Sequence, residues 1–218
     1  MPRSLQTIAA TLLAVGALVV ALAATATGRP AVSQTPAAAA LKAASTGVTA
    51  TSTPAAVPVS RLAADVLTAR MATAKYASNL AAAKADGYGI ITRMIPSMGY
   101  HFLNPKISGF NLRKPEILVY EHQGSHWQLG ALEWVYTSMP AHRPLPGASY
   151  GVFGAACHYV DGTFVFAAAQ SMCAAKSPST GAAFNFWHPR LITLHFWIWY
   201  PNPSGIYDGI NPLAAPFR

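Results

Sequence analysis

Apolar side chains recur at helical intervals first, and then at the two-residue period of strands. Over residues 61–86, Leu62, Val66, Leu67, Ala69, Met71 and Ala74 hold an approximate helical spacing, continued by Tyr76, Leu80 and Ala83. The segment is rich in Ala, Leu, Met and Lys, all good helix formers, and Gly87 offers a C-terminal stop. A packing or capping helix is expected there. Beyond it the texture changes to short apolar runs separated by Gly, Pro and Asn. Residues 116–121 and 128–136 read as strands joined by a hairpin loop over 122–127. His158-Tyr159-Val160 and residues 163–166 form a second hairpin around the favoured turn pair Asp161-Gly162. Residues 191–200 make a further strand, ended by Pro201-Asn202-Pro203-Ser204-Gly205. One N-terminal helix packed on antiparallel strands and hairpins is expected, of α+β or mainly β class.

Alternation also assigns faces. In residues 191–200, Ile192, Leu194, Phe196 and Ile198 share one face, which is core. His195 falls on the other, with Thr193, Trp197 and Trp199. In residues 128–136 the same rule groups Leu129, Ala131, Glu133 and Val135, so a carboxylate stands among apolar neighbours. A buried carboxylate needs a cation, a metal or a raised pKa, because an unpaired buried charge is costly. Arginine pairing is the ordinary solution, and a site role the sharper one.

Composition confines the folded part. Every Trp, Tyr and Phe lies after residue 75, and the first 60 residues hold no acidic group. Met1-Pro2-Arg3, an uncharged apolar run over residues 8–24 and Ala24-Thr25-Ala26 match a secretory signal peptide over residues 1–26. An uncleaved membrane anchor is the alternative, since residues 5–28 are long enough to span a bilayer. Residues 27–60, almost all Ala, Thr, Ser, Pro and Val, read as a disordered tether. Residues 61–218 are then a single globular domain. The expected location is secreted or extracytoplasmic, with membrane association through the signal segment transient on one reading and permanent on the anchor reading.

Charge changes this picture little. Fifteen Lys and Arg against seven acids give a net charge of +8. The basic residues are scattered, only Arg113-Lys114 standing together beyond residue 60, so no nucleic-acid binding is expected. Attraction to an anionic surface or cell-envelope polymer is compatible with such a surface. Cys157 and Cys173, an even count in an exported chain, are expected to form a disulfide.

Candidate chemistry rests on histidine. His101 follows Gly99, where a tight backbone aims the side chain. With Glu133 and His195 it makes a set of two imidazoles and one carboxylate suited to a divalent metal ion, which is the cofactor these residues point to. His158, beside Cys157, and His188, in a proline-limited segment, are the substitutes for a member of that set. His122, His126 and His142 fall in loops and are expected to be solvated. No H-E-x-x-H, G-x-S-x-G, P-loop or dinucleotide fingerprint occurs, so no motif supports serine-hydrolase, nucleotide or nicotinamide chemistry.

Five segments carry a resemblance: residues 72–76, 85–88, Met98-Gly99-Tyr100-His101-Phe102-Leu103-Asn104-Pro105, residues 130–135, and residues 194–205. Their order resembles a family of small exported bacterial proteins of uncharacterised function. The resemblance spans nearly the whole folded part. It implies the domain limits and an exported character, and transfers no activity. Three function classes stay open: a metal site, an envelope module binding through an aromatic face at Trp197 and Trp199, and a metal-free small-ligand carrier.

Overall fold

Ser60 starts the first helix, its hydroxyl accepting the Ala63 N–H at 3.2 Å. The computed structural model describes residues 60–216, which lie within one unit spanning Ala56–Arg218. The signal peptide, its anchor alternative and the tether up to residue 59 lie outside the described residues. No described helix is long and apolar enough to cross a membrane.

The single helix expected over residues 61–86 is instead α1 (Arg61–Thr73), a 3-10 turn (Ala74–Tyr76) and α2 (Leu80–Ala85). Asn79 causes the restart: its side-chain oxygen accepts the Ala82 N–H at 3.0 Å, a cap that competes with helix continuation. The break frees backbone for the sheet. Ala77 C=O accepts the Leu129 N–H at 2.7 Å, and Tyr76 C=O accepts the Tyr120 hydroxyl at 2.8 Å. Leu67 and Met71, counted above with the apolar stripe, are exposed, while Ala69 and Thr73 are the buried positions of α1.

The rest is mainly β. Nine strands among the described residues are β1 (Gly89–Ile95), β2 (Gly99–Leu103), β3 (Ile117–Gln123), β4 (His126–Tyr136), β5 (Gly151–Phe153), β6 (Ala156–Tyr159), β7 (Phe164–Phe166), β8 (Phe184–His188) and β9 (Leu191–Trp197). Antiparallel pairing gives a six-stranded sheet, β1-β2-β3-β4-β9-β5, and a three-stranded sheet, β7-β6-β8. The hairpin loop expected over residues 122–127 is narrower, because both strands extend to Gln123 and His126. Cys157 and Cys173 are disulfide-bonded.

The six-stranded sheet has two different faces. Leu118, Tyr120, Leu132, Trp134, Leu194 and Phe196 join Ala69, Tyr76, Leu80 and Ala83 in the main core. The opposite face carries Ile117, Val119, Ala131 and Trp197. Leu129 belongs to the main core and not to the face of Ala131, a correction to the simple alternation of β4. Its cause is a bulge: Val119 pairs with Ala131 but Tyr120 with Leu129, leaving Gly130 as the extra residue that resets the alternation. A Cβ on Gly130 would lie 2.9 Å from Cζ3 of Trp197, so only glycine lets that ring lie on the bulge.

Candidate metal centre

Cross-strand register builds the site. Leu103, Ile117, Glu133 and His195 form one row across β2, β3, β4 and β9. The next row runs Thr92, His101, Val119, Ala131 and Trp197. Glu133 and His195 are thus direct partners, and His101, two residues before Leu103, shares their face. Gly99, at φ 109°, lets β2 begin against β3, since a Cβ there would sit 2.8 Å from the Tyr120 carbonyl oxygen.

The three side chains meet. His101 Nε2 lies 3.5 Å from Glu133 Oε2, and His195 Nε2 lies 3.7 Å from Glu133 Oε1. One ligating atom from each falls within 4.8 Å of the others, and all three residues are buried. No arginine takes the carboxylate: its ion-pair neighbours among the described residues are these two imidazoles. Atoms bound to one ion at about 2.0–2.2 Å stand about 3.3–3.6 Å apart at a tetrahedral angle, close to the spacing observed.

Each group is oriented differently. His101 Nδ1 is 2.7 Å from Thr92 Oγ1, which fixes the ring and leaves Nε2 directed at Glu133. His195 stacks on Trp197, with ring centroids 6.4 Å apart and planes at 11°. Neither ring nitrogen of His195, nor Oε2 of Glu133, has a hydrogen-bond partner. Buried polar atoms without partners are rare enough to need an explanation, and a shared cation would satisfy His195 Nε2 and Glu133 Oε2 together, while His195 Nδ1, on the other side of the ring, stays outside its reach. The segment after β9 folds back over the group: Asn211 N–H donates to Ser97 C=O at 2.7 Å, and Gly209 lies beside the His195 ring.

Burial pushes the Glu133 carboxyl up to about 8, and the nearby Glu116 charge adds to this. Burial holds His101 down at about 3, with the charge of His195 acting in the same direction and a backbone hydrogen bond at Gly99 opposing it. Burial likewise holds His195 at about 4, against a small opposing effect of Asp208. Without a cation, burial therefore favours the uncharged form of all three groups, a protonated Glu133 and two neutral imidazoles. A bound divalent ion would favour the carboxylate and use the free lone pairs of both imidazoles.

A cavity of about 280 Å³ lies against this group. Its walls come from both sheets and are largely apolar, including Ile91, Leu103, Ile117, Val135 and Phe153. His158 and His188 line the same cavity but contact each other, Nε2 to Nε2 at 3.0 Å, and so replace no member of the trio. His126 and His142 are exposed, and His122 stacks on Trp127 with centroids 4.1 Å apart.

The aromatic face through which the envelope-module alternative would bind, at Trp197 and Trp199, is not formed at the surface. Trp197 is buried and its indole N–H donates to Asp208 C=O. β9 ends at Trp197, so Trp199 leaves the alternation; its N–H donates to Thr73 Oγ1, and Arg70 covers its ring at 4.7 Å. Thr92 is the site residue that sequence reasoning missed, because a lone threonine in an apolar segment gives no signal of an imidazole across the strand pair. No family model, curated protein or solved structure matches this chain at a significant level.

Proposed function

We propose that this chain is an extracytoplasmic protein that binds a divalent transition-metal ion through His101 Nε2, His195 Nε2 and a carboxylate oxygen of Glu133. The observation that carries the proposal is the convergence of three buried ligating groups, several of whose atoms have no other partner. Two imidazoles and one carboxylate suit Zn(II) or Fe(II) and leave coordination positions for water or a small molecule. The apolar cavity beside the group favours a small, weakly polar molecule at such a position. The disulfide supports an oxidising compartment, in keeping with the resemblance to exported proteins.

Zn(II) calorimetry on full-length protein without a histidine tag tests this. Glu133→Gln keeps the shape and removes the charge, and it is expected to abolish one equivalent of binding. Unchanged binding in that variant would overturn the proposal. No Zn(II) binding by either protein would overturn it too, and would favour a metal-free carrier of a small apolar ligand, a reading that draws on the same cavity wall.

A further inference from the structure

The trio leaves two imidazoles of the cavity unused. His158 on β6 lies flat on Phe186, with ring centroids 4.7 Å apart and planes at 5°, and its Nδ1 stands 2.8 Å from the Ile91 carbonyl oxygen. His188, at the end of β8, places its Nδ1 2.6 Å from the Pro189 carbonyl oxygen. A carbonyl oxygen only accepts, so each Nδ1 carries the ring proton in the neutral tautomer. Each Nε2 then presents a bare lone pair, and the two face each other across 3.0 Å. Such an arrangement is repulsive unless a cation lies between the nitrogens. A third proton would place a charge beside buried His158, and among the described residues no carboxylate stands in ion-pair contact with either ring.

We propose that His158 and His188 hold a second transition-metal ion through their Nε2 atoms, on the wall of the cavity that also carries His101, Glu133 and His195. With metal–nitrogen distances of about 2.0–2.1 Å, the observed separation corresponds to an angle of about 91–97° at the ion, that of adjacent ligands. Both rings already have the outer partner that metal-bound histidines use, an Nδ1–H donated to a carbonyl. Two neutral imidazoles without a carboxylate select Zn(II), Cu(II) or Ni(II) over Mg(II) or Ca(II). The site does not require the trio to bind metal, and with both loaded the cavity holds two ions.

Zn(II) equivalents per chain, measured on full-length untagged protein after dialysis, separate the two sites. Wild type is expected to retain two equivalents, and His188→Gln and Glu133→Gln one each. One equivalent in wild type that His188→Gln removes and Glu133→Gln spares would uphold this pair and overturn the trio. One equivalent that Glu133→Gln removes and His188→Gln spares would overturn the pair. Imidazole 15N spectra of wild type need no variant: Zn(II) is expected to shift Nε2 of both rings. A proton on either Nε2 that persists with Zn(II) present would overturn the proposal, leaving a proton-shared pair.

Discussion

Replacing Glu121 by glutamine is expected to make the protein progressively more stable than wild type as pH rises. Glu121 is buried on β3, and neither carboxyl oxygen has a hydrogen-bond partner. Burial pushes its carboxyl from 4.5 up to about 7. Below the ordinary value the group is neutral in both folded and unfolded chains, and its stabilising preference for the folded state is fully present. Between that value and about 7 the unfolded chain ionises and the folded one does not, so stability falls as pH rises. Above about 7 the loss is complete and amounts to roughly 3 kcal/mol, from 1.36 kcal/mol per pH unit. The glutamine side chain does not titrate, so any fixed effect of its amide cancels in the pH trend. Urea unfolding of both proteins from about pH 5 to about pH 8 is the assay. The difference should widen by most of that amount. Parallel curves would refute the reasoning, because they would show that Glu121 ionises as easily in the folded protein as in the unfolded chain.

Thr92→Val should weaken Zn(II) binding at the trio by about 10–100-fold with circular dichroism unchanged, and Thr92→Ser should restore it, as calorimetry would show. Replacing Cys157 and Cys173 together by alanine should lower unfolding free energy by about 3 kcal/mol, measured by urea denaturation against the oxidised wild type. Gly130→Ala forces a Cβ to within 2.9 Å of the Trp197 ring and should destabilise by about 1–3 kcal/mol, with a shift in tryptophan fluorescence.

Local chemistry made much of this protein legible. Alternation in β9 separates Leu194 and Phe196 from His195 and Trp197, because that strand is regular along its described length. The same rule fails in β4 at Gly130, where a bulge depends on the Trp197 ring from another strand. The helical period over residues 61–86 hides a break because the Asn79 cap competes with good helix formers on either side. Strands β1, β2 and β8 carry no clean alternation: Phe184–His188, for example, is partly buried at four of its five positions. At the site, His101, Glu133 and His195 each had a local signal: a preceding glycine, apolar neighbours, and a flanking tryptophan. Their convergence depends on pairing across β2, β3, β4 and β9, which no local pattern encodes. Thr92 and the His158–His188 contact belong to that same non-local layer.

An anomalous difference map at the zinc edge, from crystals of the protein grown with Zn(II), tests the metal centre most directly. The expected result is a peak within about 2.0–2.2 Å of His101 Nε2, His195 Nε2 and one carboxylate oxygen of Glu133. A map with zinc elsewhere and none at this position, or with Glu133 turned to an arginine, would contradict the proposed centre.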